Sequence, residues 1–115
     1  MGNVTRSSPL VTPVKTVVAN PSTATTTSLV AAVAGKKYRV VSLAIVTTAA
    51  NSVNLENGTT DITPVWPLGA NGGIVLPYNE HGWCETSANA ALQVTTSAAT
   101  ACGVLVQYVE IPTAS

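Results

Sequence analysis

The densest cluster of groups able to do chemistry is Glu80-His81-Gly82-Trp83-Cys84-Glu85. His81 and Cys84 are residue types that bind zinc, and Glu80 or Glu85 would supply a third donor. A structural zinc site needs four ligands, however, and the only other thiol in the chain is Cys102. Cys84 and His81 are also a nucleophile and a base by type, but attack requires an imidazole oriented by a third group, and adjacent strand residues point to opposite faces. The segment therefore reads as a loop entering a strand, with Gly82 making the turn and Trp83 sealing the core edge. The other acids considered, Glu56, Asp61 and Glu110, fall on separate expected strands, so their spacing pairs no two carboxylates. Gly69-Ala70-Asn71-Gly72-Gly73 is rich in glycine, yet it matches no phosphate-binding pattern and opens no helix. It reads as a surface loop, one able to be held against a partner through Asn71. The expectation is a protein that is not an enzyme, with no catalytic residues, no metal and no cofactor.

Composition narrows what the surface can bind. The 115 residues suffice for one domain, and five Lys and Arg balance five Asp and Glu. Charged residues make up 9% of the chain, against about 25% in an average soluble domain. Spread over the surface of a folded monomer of this mass, that is roughly one charge per 590 Å². The cations Arg6, Lys15, Lys36, Lys37 and Arg39 are too few to neutralise a run of phosphates, so no nucleic acid is expected as a partner. A hydrophobic fraction of 46% with a mean hydropathy of +0.35 excludes intrinsic disorder. No apolar run approaches the roughly 18 residues of a membrane helix, and no membrane partner is expected. The start of the chain lacks the basic-then-apolar order of a secretory signal, and Arg6 stands where a myristoylation motif needs Ser or Thr. Cys84 and Cys102 read as thiols of a protein made in a reducing compartment, with one disulfide between them still compatible with the sequence. Asn57-Gly58-Thr59 spells a glycosylation sequon and reads better as a tight turn, in which Asn57 and Gly58 both take positive φ.

The elements that must position these residues are strands. Residues 1–13, with Pro9 and Pro13 and no periodicity, form an extended arm, and 14–115 form a single domain. From Val14 onward Thr and Val dominate, and Gly or Pro recurs every few residues. Strands are expected at 14–19, 28–33, 37–48, 52–56, 59–65, 74–76, 82–86, 91–96 and 102–111. Alternation along 37–48 puts Val41, Leu43 and Ile45 on one face and Tyr38, Val40, Ser42, Ala44 and Val46 on the other. Both faces are apolar near the middle, so one lines the core and the other must be covered by neighbouring chain or by a partner. About eight or nine strands in roughly 100 residues fit two packed sheets. The expected fold is all-β: a jelly-roll-like antiparallel β-sandwich with its crossovers at 66–73 and 77–82. An immunoglobulin-like topology ranks second, since the spacing of Cys and Trp in that fold is absent. With no Phe and 4% aromatics, the core must be built from Val, Leu, Ile and Ala.

Two surface groups remain. In Lys36-Lys37-Tyr38-Arg39, alternation sends Lys37 and Arg39 to the same side, where they could meet an acidic patch on another subunit. Trp66, Tyr78 and Trp83 are candidates for a sugar-stacking platform, or for core and interface filler.

Three stretches resemble small bacteriophage virion proteins: Leu29 to Leu43 with Ser52-Val53-Asn54-Leu55, Leu76 to Thr86 with Ala91-Leu92-Gln93-Val94, and Val106-Gln107-Tyr108-Val109-Glu110. The resemblance covers about residues 14 to 111, is one of pattern, and brings no active-site residues with it. It implies a jelly-roll protein of phage heads, made in the host cytoplasm and carried on the outer capsid surface of the virion. There it would act as a decoration or cement protein that stabilises contacts between major capsid subunits. The implied partners are the major capsid protein and further copies of the chain, a trimer before a dimer. Arg6, Pro9, Val11 and Pro13 of the arm, with Lys36, Lys37, Arg39, Trp66 and Asn71, are the candidate contacts. The alternative is a carbohydrate- or receptor-binding knob of a phage fibre or tail.

Overall fold

Val- and Thr-rich segments broken by Gly, Pro and Asn fold into ten strands, with no helix among the described residues, which in this computed structural model are 13–113. The strands are β1 (Lys15–Ala19), β2 (Thr26–Val30), β3 (Lys36–Thr47), β4 (Asn51–Asn57), β5 (Thr60–Asp61), β6 (Trp66–Leu68), β7 (Gly73–Leu76), β8 (Cys84–Glu85), β9 (Leu92–Thr96) and β10 (Cys102–Pro112). They form an antiparallel β-sandwich. The first sheet runs β1-β10-β3, with β7 and β8 sharing the far edge of β3. The second runs β2-β9-β4, with β5 and β6 sharing the far edge of β4. Arm residues 1–12, including Arg6, Pro9 and Val11, lie outside the described residues, and Pro13 is exposed.

The core lies between the sheets. Tyr38, Val40, Leu43, Ile45, Cys102, Val104, Val106 and Tyr108 of the first sheet meet Val53, Leu55, Leu92 and Val94 of the second, all buried. Within the first sheet Tyr38 packs against Tyr108, edge to face with centroids 5.6 Å apart. The Tyr38 hydroxyl donates to the Ala31 carbonyl at 2.5 Å, which satisfies its one polar atom.

Tyr38 and Val40 cannot share a face with Leu43 and Ile45 under strict alternation, and the expected division of β3 is corrected here. Gln107 pairs with Ser42 but Tyr108 pairs with Val40, so Val41 is one residue too many and forms a β-bulge. The bulge shifts the phase by one. Tyr38 and Val40 turn inward with Leu43, Ile45 and Thr47, while Ser42, Ala44 and Val46 remain outward. Val41 is itself buried, outside the central cluster.

Three connections also differ from expectation. Trp66–Leu68 is a strand on the edge of the second sheet, where Pro67 needs no ladder donor, so the crossover shrinks to residues 69–72. Residues 77–83 are not a crossover, because they join β7 to β8, both on β3. Asn79 N and Trp83 N donate to the carbonyls of Val41 and Val40, which ties that loop to the bulge. In the β4–β5 hairpin Asn57 pairs with Thr60, and only Gly58 takes positive φ (62°). That is the geometry of a two-residue turn with Gly at its first central position. The Asn57 amide donates to Ser87 Oγ at 2.6 Å.

The bulge makes a prediction that an unbroken strand does not. Leu43→Ala should cost about 2–5 kcal/mol of unfolding free energy, and Val40→Ala, three residues away, should cost about half as much or more. Urea unfolding checks both; an exposed-site effect of under about 0.5 kcal/mol at Val40 would contradict the bulged phase.

Candidate interaction surface

The two outer faces of the sandwich differ in chemistry. On the second sheet, Ser28, Gln93, Glu56 and Asp61 lie in one cross-strand row, and Thr26, Thr95 and Asn54 lie in the next. Their side chains bond to one another. Thr95 Oγ1 donates to Glu56 Oε1 at 2.8 Å, the Thr26 and Thr95 hydroxyls are 2.9 Å apart, and Asn54 Nδ2 donates to Asp61 Oδ1 at 2.8 Å. Glu56 and Asp61, expected on separate strands and not as a pair, are thus direct neighbours across the β4–β5 hairpin. This face satisfies its polar groups and suits water.

The first sheet presents the opposite. Val18, Leu105, Ala44 and Val75 form one row across β1, β10, β3 and β7, and the adjacent row is Gly103, Val46 and Gly73. Val18, Val46 and Val75 are 63%, 58% and 67% exposed. Contiguous apolar surface of this kind, on the order of a few hundred Å², is a candidate for contact with a partner. The glycines make its relief. A Cβ at Gly73 would lie 2.5 Å from the Ile45 carbonyl oxygen and 2.9 Å from Val46 Cγ1, so β7 pairs closely with β3 only because that atom is missing. Beside Gly103 lies an open hollow of about 400 Å³ bounded by Val18, Asn20, Ala44, Val46 and Leu105.

Beyond the bulge the same face becomes charged. Lys37 Nζ lies 2.8 Å from Glu85 Oε1, and Arg39 Nε donates to Glu85 Oε2 at 2.6 Å. The acid these two cations meet therefore belongs to their own chain. The bulge keeps Lys37 and Arg39 outward, and the β3–β8 register sets Glu85 directly opposite Arg39. Gly82, at φ +85°, lets the Arg39 stem lie across the turn; a Cβ there would come 2.6 Å from Arg39 Cδ. The Lys37 hydrogen bond, helped by Arg39, holds the Glu85 carboxyl below its usual range, against burial, which acts the other way.

The chain matches no protein-family model, no curated protein and no solved structure. What the surface can do is therefore read from its residues alone.

The remaining sequence candidates are scattered. Lys36 is half-buried where β3 begins, and Asn71 is exposed at φ 57° in a turn closed by Gly72 N to Gly69 O, docked on β3 through Thr47 N to Gly72 O. Trp66 pairs with Val53 in the second sheet and packs partly against the core. Tyr78 and Trp83 lie on the loop beside the first sheet, 58% and 44% exposed, so the three aromatics make no common platform. Trp83 does not seal the core edge; its indole Nε1 donates to the Pro77 carbonyl at 2.8 Å across its own loop. His81 is exposed, and among the described residues no three of His, Cys, Asp and Glu gather as a metal site. Cys84 lies opposite Val40 and Cys102 opposite Thr47, about 23 Å apart along β3, so no disulfide can join them. Burial, with Glu85 nearby, pushes the Cys84 thiol up to about 11, far from a reactive thiolate.

A residue the sequence reading missed is Asn51. Its Oδ1 accepts from Ser97 N and Ala98 N at 3.0 and 3.1 Å, and its Nδ2 donates to Thr100 Oγ1 at 2.9 Å. It clamps the β9–β10 loop from inside, and nothing in its local sequence separates it from the other asparagines.

Two outcomes follow. A carboxyl held below its unfolded value stabilises the fold above that value and loses this contribution as pH falls through the folded one. Glu85→Gln should thus cost at most about 1 kcal/mol at neutral pH, since the partners are partly solvated, and should flatten the acid-side fall in urea midpoint. Iodoacetamide at pH 8 should label the folded chain slowly at both cysteines and label both once urea unfolds it; fast labelling of native Cys84 would contradict its half-buried, protonated state.

Proposed function

We propose that this protein is a non-enzymatic structural component of a virus particle, a decoration or cement protein that binds the outer surface of a phage head and stabilises contacts between major capsid subunits. The observation that carries the reading is the contrast between the two outer faces: one hydrogen-bonded and polar, the other apolar at one end. A chain with so few charges that leaves such a face open works by being pressed against protein, and interface centres are depleted in charge.

The strand order supports the fold that goes with this reading. Counting β5 with β6 and β7 with β8, which share one edge each, leaves eight strand positions. The chain changes sheet at each longer connection between them, in the manner of a jelly roll. In this proposal the partners are the major capsid protein and further copies of the chain, and the site of action is the virion surface. Weak contacts repeated over an oligomer hold firmly through effective concentration, with no deep pocket. The arm of residues 1–13 is assigned to the capsid contact.

The alternative, a glycan- or receptor-binding knob of a fibre or tail, draws on the exposed Tyr78 and Trp83 of one loop. Purified chain mixed with phage heads lacking it should co-sediment with them and raise their resistance to heat. Removal of residues 1–13 should lower occupancy while the unfolding midpoint of the sandwich stays unchanged. No co-sedimentation, together with a glycan-array signal lost in Trp83→Ala, would overturn the proposal in favour of the knob.

A further inference from the structure

We infer that Asn71 is a site of self-modification. There the backbone nitrogen of Gly72 attacks the side-chain amide and converts the asparagine to aspartate and isoaspartate. The fold spares Asn57, the other asparagine that precedes a glycine. The inference goes beyond the proposed function and does not depend on it.

An Asn-Gly step offers this reaction the least hindrance, because the residue that carries the attacking nitrogen has no Cβ. The chain holds two such steps, Asn57-Gly58 and Asn71-Gly72. The chemistry is the same at both. The glycine nitrogen adds to the asparagine Cγ and gives its proton to water, and charge gathers on Oδ1. The Cγ–Nδ2 bond then breaks, and Nδ2 takes a proton from water and leaves as ammonia. Water opens the cyclic succinimide that remains at either carbonyl, which yields aspartate or isoaspartate.

The surroundings separate the two sites. Asn57 ends β4, paired with Leu92 on one side and with Thr60 on the other. Turning its backbone to bring Gly58 N onto Cγ would break sheet pairing at both edges. Its Nδ2 is already given to Ser87 Oγ, and Gly58 N donates to the Ala91 carbonyl at 3.3 Å. Asn57 Oδ1 is buried with no hydrogen-bond partner among the described residues, so no donor stands ready for the charge that attack would place on it. Asn71 lies in the turn between β6 and β7, outside any strand. It is exposed at the rim of a second hollow, of about 370 Å³, which it shares with Asn20, Val46, Thr48 and Gly103. Water reaches its amide there. Attack requires the release of Gly72 N from the Gly69 carbonyl, a bond within the same turn that holds no strand in place.

The product changes the surface. A carboxylate at position 71 adds one negative charge to a chain whose formal net charge is zero. The described cations, Lys15, Lys36, Lys37 and Arg39, lie toward the other end of the first sheet. The new acid therefore keeps its water, and with it wets the rim of the apolar end.

Peptide mapping by mass spectrometry tests the inference, on the full chain held for weeks in mildly alkaline buffer, folded and in guanidinium chloride. In the folded chain the peptide with Asn71 should convert at least about tenfold faster than the peptide with Asn57. Enzymatic methylation should detect isoaspartate at position 71. In guanidinium chloride the two should convert at similar rates, because the fold no longer separates them. A smaller difference in the folded chain, a preference for Asn57, or a preference for Asn71 that persists undiminished in guanidinium chloride would each overturn the inference.

Discussion

The pairing of β3 with β10 is the constraint on which the rest of this molecule depends. β3 has twelve residues and β10 eleven, and the surplus residue is Val41. Without the bulge, one half of β3 would turn its large side chains to the outside. With it, Tyr38 and Val40 enter the same core as Leu43 and Ile45. The bulge carbonyls are then engaged by the 77–83 loop, whose Asn79 and Trp83 amides bond to Val41 and Val40. That loop in turn delivers β8, and with it Glu85, to the edge of β3. One inserted residue thus decides the core, the course of a loop and the partner of two cations.

Scarcity of charge shapes the surface as firmly. Each ion pair found among the described residues joins strands that are already neighbours: Lys15 with Glu110 across β1 and β10, and Glu85 with Lys37 and Arg39 across β3 and β8. Such exposed pairs contribute little free energy. Their effect is to divide one face into a charged end and an apolar end. The polar face of the second sheet is managed differently, through hydroxyl and amide side chains that pair laterally and so lose little when wetted. A domain with one face of each kind has an inside and an outside even before it meets a partner.

Some readings survive because their cause is local. The strand between Ser52 and Glu56 and the inward Leu92 and Val94 follow from neighbours a few residues away, as does the presence of a tight turn at Gly58, though not its φ pattern. Others fail because their cause lies elsewhere in the chain. Nothing in Trp66-Pro67-Leu68 announces a strand; it becomes one because β4 has an open edge. Trp83, apolar by type, stays exposed because its loop is held outside the sheet rather than at the core edge.

What the chain alone determined is its class: alternating Val and Thr, punctuation by Gly and Pro, and near absence of charge require antiparallel sheets with small-residue packing. These are properties of period and composition, and they are complete within a few residues of chain. Only the tertiary structure decided which face each alternation presents, because a single unpaired residue opposite Tyr108 reverses it. It also decided that Lys37 and Arg39 answer to Glu85, forty-six residues beyond Arg39, and that Cys84 and Cys102 lie far apart along β3, opposite Val40 and Thr47. Phase and partnership are set by register between distant strands, and register is a property of the pair.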